Sequence, residues 1–440
     1  MSELGAGTQM LLLFGVLLVI RVPVAFALGL AALYAMWVMG FGLDLVGDLI
    51  ASGIAKFSLL AVPFFILAGI LMGTAGMADR MIRFFRVVVG GLPGGMGVVG
   101  VVVALFWGAV SGSGPASVAA IGPMIVRGMA DDGYPRPFAA ALVCTGAALS
   151  IVIPPSIGLV IYGVIAEVSI GGLFIAAILP GLMMGVMMLL ALPFVARTRA
   201  ARKASSLEAL SPMPYAAETR GRRIWLSFLD AAWGLLTPVV ILGGIYTGAF
   251  TPTEAAIVAV VYAIFVGMAI YRTLTLRLLF DAFVDAARSS AVVMMVVTFA
   301  SLFGWVVTVD DIVGTYSEGL LAVSSAPWVI LLVIAAVLLV MGMFMDAITI
   351  MFISLPIFLP VVRELQWDPI WFGVFLMITL AIGLFTPPVG INLFVAANIT
   401  GLSLERIAAA AMPFLATSLL GLLVVAVWPD LTTYLLAWMR

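Results

Sequence analysis

VSGSGPASVAAIGP, residues 110–123, interrupts a chain that is otherwise close to unbroken hydrocarbon. Ser111, Gly112, Ser113, Gly114 and Pro115 follow one another directly, between VVVALFW upstream and MIV downstream. At membrane depth an unpaired backbone polar group costs several kcal/mol, so such a break survives only against protein or a water-filled cavity. The segment is therefore a packing device or a binding loop. The rest of the chain decides which.

Composition sets the class. Of 440 residues 65% are hydrophobic and 9% charged, with a mean hydropathy of +1.29; soluble domains carry roughly 25% charged residues. The chain is read as a polytopic membrane protein, with room for ten or more crossings at about 20 residues each. MSELGAGTQ lacks the basic start of a cleaved signal, so Met10 onward is expected to be a retained span. A single cysteine, Cys144, excludes a disulfide framework, and zero histidines exclude His-ligated metal and His proton relays. A net charge of -1 argues against nucleic acid.

Apolar runs predict helices at about 8–20, 23–40, 58–76, 96–110, 115–130, 135–153, 157–167 and 172–196. After a polar linker at 197–225 a second set is predicted at about 226–249, 253–271, 288–308, 326–343, 347–361, 369–385, 390–399 and 404–428. Pieces at 42–56 and 273–287 carry too many charges to cross.

The two sets repeat each other. A shift of 233 residues lays Pro123 on Pro356, Tyr134 on Trp367, Phe138 on Trp371, Pro154 and Pro155 on Pro387 and Pro388, and Pro180 on Pro413, without a gap. Nearer the N-termini a shift of 229 pairs Pro23 with Pro252 and Ala27 with Ala256. Charges at equivalent places have opposite sign. The loop expected after the 58–76 span carries Arg80, Arg83 and Arg86, whereas its counterpart carries Asp310, Asp311 and Glu318; Asp44, Asp48 and Lys56 are net acidic, whereas Arg272, Arg277, Asp281, Asp285 and Arg288 are net basic. By the positive-inside rule the arginine-rich segments and the linker are cytoplasmic. That traces both termini to the outside, provided that 96–130 and 326–361 enter and leave on one side as re-entrant hairpins. The expected architecture is an all-α polytopic membrane protein of two inverted repeats, 1–196 and 226–440, joined by the 197–225 cytoplasmic linker. Each repeat carries a hairpin (about 96–130 and 326–361) and a Pro-Pro-broken helix (about 135–167 and 369–399), the plan of secondary transporters with a binding site at the repeat interface.

The opening stretch then falls at the first hairpin tip. Its repeat partner is GMFMDAIT, 342–349, with Asp346 in the place of Ser113. Facing the tips are SIVIPPSIG, 150–158, and LFTPPVGIN, 384–392, whose prolines free carbonyls and half-helix ends. Such oxygens suit a hard cation such as sodium, and a half-helix N-terminus suits a carboxylate. Taken alone, SGSGPAS reads equally as small-residue packing; the duplicated Pro-Pro elements favour the site. Asp346, ionisable within a span, is a functional candidate. Glu254 in FTPTEAA is expected to cap a helix with Thr251 or Thr253, and Glu167 to be interfacial. The Arg80, Arg83, Arg86 row is expected to snorkel and set topology. The methionines and Cys144 are read as apolar filler.

VPVAFALG, FWGAVSGSGPASVAAIG, DDGYPRPFAAALVCTGAALSIVIPPSIGLVIYGVIAEVSIGGLFIAAILPG, GIYTGAFTPTEAAIVAVVYA, MGMFMDAITI and FTPPVGINLFVAANITGLSLERI together carry a resemblance over essentially the full length. The chain resembles the large membrane subunit of a tripartite ATP-independent periplasmic (TRAP) transporter, DctM type. The resemblance implies a multi-pass protein of the bacterial inner membrane and a sodium-coupled importer of an organic acid, a C4-dicarboxylate or related carboxylate. It also implies a small four-helix membrane subunit, a periplasmic substrate-binding protein, and an elevator motion of the hairpins against a scaffold. Carried over, the first sodium site involves Ser111, Ser113 and Gly114 with Ser150 and Pro154. The second involves Asp346 and Thr349 with Thr386, Pro387 and Gly390. Ser117, Thr145, Ser156, Asn392 and Asn398 are the implied substrate neighbours. None of the four elements contains an arginine.

A stand-alone sodium- or proton-coupled dicarboxylate or citrate carrier of similar architecture is the rival reading. A membrane enzyme is disfavoured by the lack of histidine and of paired intramembrane acids. A channel is disfavoured because the hairpins form an inverted pair without a filter-like repeat.

Overall fold

Lipid offers the backbone no hydrogen bonds, so a spanning chain satisfies its own, and a helix does so locally. The computed structural model describes residues 5–90, 94–193, 218–310, 314, 319, 324 and 326–439, and every regular element among them is helical. The first half contains α1 (Ala6–Val19), α2 (Val24–Val38), α3 (Leu43–Ile54), α4 (Ala61–Thr74, entered through a 3-10 turn at Phe57–Leu60), α5 (Met77–Val89), α6 (Gly95–Ser111), α7 (Gly114–Asp131), α8 (Arg136–Ala148), α9 (Ile157–Ala166) and α10 (Ile170–Ala191). The second contains α11 (Arg220–Tyr246), α12 (Pro252–Phe265, prolonged by a π turn), α13 (Leu276–Val309), α14 (Pro327–Gly342), α15 (Ala347–Glu364), α16 (Pro369–Gly383), α17 (Ile391–Thr400), α18 (Leu404–Val427) and α19 (Asp430–Met439). Seven helical runs among the described residues are long and apolar enough to cross a membrane.

The elements fall in register. The 233-residue shift carries α7, 114–131, onto α15, 347–364, residue for residue. The turns after them hold Gly133 and Gln366 at φ +91° and +53° in the same register, and the C-caps of α9 and α17, Glu167 and Gly401 at +56° and +67°, correspond with one residue more, a shift of 234. Both Pro-Pro peptide bonds are cis. The halves are interlocked. Helix α7 packs on α17 and α15 packs on α9, while α8 packs on α18 and α10 on α16. Hence one continuous apolar core takes in both hairpins and both broken helices. A second core joins α1 and α2 to α13.

Four features differ from the sequence reading. The Arg80–Arg86 segment is a helix, α5, because its apolar residues recur on one face while its charges lie on the other. The 273–287 piece is not separate from the span after it: both are one helix, α13, since no glycine or proline breaks LRLLFDAFVDAARSSAVVMMVV. The first turns of α11 take up the end of the expected linker, and α19 follows the last expected span. The rest of the linker through residue 217, together with Asp311 and Glu318, lies outside the described residues.

The arginine row also departs from simple snorkelling. Arg80 Nε and Arg83 Nη2 bond the Asp230 carboxylate of α11 at 3.0 and 3.2 Å, and the Arg80 guanidinium lies 3.7 Å from the Tyr271 ring centroid. Arg86 is buried. Glu254 does cap α12: the Thr251 hydroxyl accepts from Glu254 N at 3.3 Å and the Glu254 carboxylate accepts from Thr251 N at 2.8 Å.

Candidate binding site at the hairpin tips

Helix α6 stops at Ser111 because Gly112 takes φ +61°, a conformation open to glycine. Ser113 is extended at the N-cap of α7, and Pro115 occupies the first turn, where its missing N–H is harmless. The Ser111 hydroxyl donates to Ser113 O at 3.2 Å. A Cβ on Gly114 would stand 3.0 Å from Asn392 Oδ1 and 3.1 Å from Leu384 Cδ1, and one on Gly112 would stand 3.3 Å from Ile157 Cγ1. The first tip therefore touches both broken helices.

The second tip is built differently from the same register. Asp346 caps α15, accepting from Thr349 N at 3.0 Å and from the Thr349 hydroxyl at 2.6 Å. Gly390 N donates to Met343 O at 3.0 Å, which ties the tip to its own broken helix. Just below, Gly342 and Gly383 meet backbone to backbone: a Cβ on Gly383 would lie 2.7 Å from Gly342 Cα.

In the first broken helix α8 passes through a 3-10 turn, Leu149–Ile151, to Pro154–Pro155. Ser156 caps α9, accepting from Leu159 N at 3.3 Å and donating to Ile151 O at 2.6 Å, and Ser150 donates to Ala147 O at 2.7 Å. In the second, the Thr386 hydroxyl donates to Ile382 O at 2.6 Å and Asn392 N to Leu384 O at 3.0 Å. Gly390, at φ +52°, lets the chain double back, with its missing Cβ only 3.0 Å from Thr386 O.

A cavity of about 730 Å³ lies over this arrangement and is lined by both tips at once. Ser111, Ser113, Gly114 and Asp346 are among its walls, as are Ile151, Ile157, Leu384 and Ile391 from the ends of the broken helices. Ser150, Pro154, Thr349, Thr386, Pro387 and Gly390 are not among the lining residues. Of the expected substrate neighbours none lines the cavity. Ser117, Thr145, Ser156 and Asn392 are buried, and Asn398 is exposed. Thr145 donates to Ala141 O at 3.0 Å, and Asn392 Nδ2 donates to Cys144 O at 2.9 Å.

Two walls escape the sequence reading altogether. Helix α4 contributes Gly69, Gly73 and Thr74, and α13 contributes Ser289 and Val292. The one signal for α4 is the four-residue glycine spacing of GILMG, 69–73, which marks a helix face open to close approach. Gly69 uses it: a Cβ there would stand 3.3 Å from Ser111 Cα.

Known proteins carry the same pattern. The family described as "Tripartite ATP-independent periplasmic transporter, DctM component" matches residues 11–431. The C4-dicarboxylate TRAP transporter large permease protein DctM of Pseudomonas aeruginosa is 40% identical over 87% of this chain and 87% of its own length. Its namesake in Rhodobacter capsulatus is 36% identical over 96% of this chain and 97% of its own. The isethionate TRAP transporter permease protein DctMQ of Oleidesulfovibrio alaskensis is 36% identical over 96% of this chain, which spans 65% of that longer protein. Among solved structures, the Alcanivorax borkumensis YdaH transporter, described as having an unusual topology, superposes with a TM-score of 0.60. That match covers 88% of this chain and 89% of the YdaH chain at 15% identity, a likeness of fold.

Proposed function

The chain belongs to the DctM family of tripartite ATP-independent periplasmic transporters, whose members are large multi-pass membrane permeases and not enzymes, and from that premise we propose that it imports an organic acid on a sodium gradient. The acid is a C4-dicarboxylate or a related carboxylate, handed over by a periplasmic binding protein. A small four-helix subunit completes the assembly in the inner membrane, with both termini of this chain periplasmic. The hairpins and broken helices move together as an elevator against a scaffold that includes α1 and α2. The observation that carries the reading is the single cavity walled by both hairpin tips.

The hydroxyls beside the tips favour a cation. Ser111, Ser150, Thr349 and Thr386 each donate their only proton to an oxygen of the protein. What they have left to offer a guest is lone pairs. We place one sodium ion with Ser111, Ser113, Gly114, Ser150 and Pro154, and a second with Asp346, Thr349, Thr386, Pro387 and Gly390. Half-helix ends and freed carbonyls supply the remaining ligands.

The test is sodium-driven uptake into liposomes holding this chain, its small subunit and the binding protein. Uptake is expected to need all three components and to lose its sodium dependence in Ser113→Ala and Asp346→Ala. Uptake by this chain alone would replace the tripartite reading with that of a lone carrier. Unchanged sodium dependence in both variants would remove the site assignment.

A further inference from the structure

The proposed cargo is an anion, yet among the described residues no arginine, lysine or histidine lines the cavity. Its side-chain donors are hydroxyls and one indole. Thr74 donates to Ile70 O at 2.9 Å and Ser111 to Ser113 O, so neither has a proton to spare. Ser289 is exposed and Ser113 half-exposed, so water competes for both. Trp107 is different. It is 1% exposed and lines the cavity, and its Nε1–H has no hydrogen-bond partner among the described residues.

The ring edge that carries this N–H can be located. Cζ2 and Cη2 of Trp107 would be 3.7 Å from a Cβ placed on Gly73, and Cζ2 is bonded to the ring carbon that bears Nε1. Gly73 lines the cavity too. The six-membered-ring edge next to the donor therefore lies along the seam between α6 and the glycine face of α4, one helical turn before Ser111. An indole N–H buried without an acceptor is destabilising, and buried tryptophans ordinarily find a partner. Such a group is expected to have its acceptor in another state of the site. It can only donate, so that acceptor is an oxygen and not an ammonium.

We propose that the Trp107 indole N–H donates to a carboxylate oxygen of the transported acid when the cargo seats between α6 and the Gly69–Gly73 face of α4. This rests on the reading of the cavity as an organic-acid site. The substrate anion thus meets a neutral donor on hairpin one, while the serine and threonine oxygens around it are turned toward cations. Trp107 is a binding residue, distinct from the sodium ligands.

The experiment replaces tryptophan at position 107 alone by β-(3-benzothienyl)alanine, in which sulfur stands for the N–H and the ring keeps its shape. Trp107→Phe is the second variant. Each is assembled with its partner subunits in liposomes, and sodium-driven uptake is measured with succinate, isethionate, sialic acid and 2,3-diketo-L-gulonate. The sulfur isostere is expected to raise KM about tenfold or more, with kcat and melting temperature close to those of the parent. An unchanged KM in the isostere overturns the role of Trp107, whatever Trp107→Phe does to folding. Failure of the parent to take up any of the four acids on a sodium gradient takes down the transport reading, and this inference with it.

Discussion

Asp346 combines two roles that substitution can separate. As the N-cap of α15 it holds Thr349 N and the Thr349 hydroxyl; as a carboxylate on the cavity wall it offers charge. Asparagine caps a helix about as well as aspartate, so Asp346→Asn is expected to leave the melting temperature in detergent nearly unchanged while abolishing sodium-dependent uptake. Asp346→Ala loses the cap as well, at a cost of about 1 kcal/mol, and should melt lower. Equal uptake in parent and asparagine variant would reduce Asp346 to a cap. At this scale the sequence is legible wherever chemistry departs from oil. Ser113 and Asp346 stand out because polar atoms are costly in a span, and the repeat puts them in register. Trp107 does not stand out, because in FWGAV an indole looks like one more apolar side chain and only its surroundings reveal an unspent proton.

Between elements, the Gly342–Gly383 crossing of α14 and α16 leaves no room for a side chain. Backbone meets backbone there, so an added methyl has no flexible neighbour to displace. Gly383→Ala is expected to cost about 3 kcal/mol, read as a lowered melting temperature and weaker uptake. Gly243→Ala in α11 is the control, since a Cβ there meets nothing within 4 Å, and should melt at or slightly above the parent temperature. A drop as large as that of Gly383→Ala would show that glycine loss alone is at fault. The starts of α7 and α15 are readable from Gly-Pro and from Asp346, because caps are local chemistry, while α15 runs three residues past its expected end at 361. Helix α5 was not, since DRMIRFFR is dense enough in charge to read as a loop, and its arginines find Asp230 only in three dimensions. The merging of the basic piece into α13 was hidden for the opposite reason: the charges suggested a break where the backbone has none.

At the scale of the whole molecule the second half is expected to be an upside-down copy of the first. The reciprocal packing, α7 on α17 and α15 on α9, is what a two-fold axis between the halves requires. An axis lying in the membrane plane adds that equivalent turns face opposite compartments, as the opposed charges of the two halves suggest. Gly133 and Gln366 occupy matching turns, both exposed and both at positive φ. Neither sits in a span, so cysteine at either place reports the side it faces. The only native thiol, Cys144, is buried and leaves a silent background. In intact cells whose outer membrane has been made permeable, Gln366→Cys is expected to react with a membrane-impermeant maleimide, and Gly133→Cys only after the inner membrane is opened. Labelling of both from one side would leave the sequence repeat standing but make it a parallel one, and the two hairpin tips could not then approach a common midplane cavity from opposite faces.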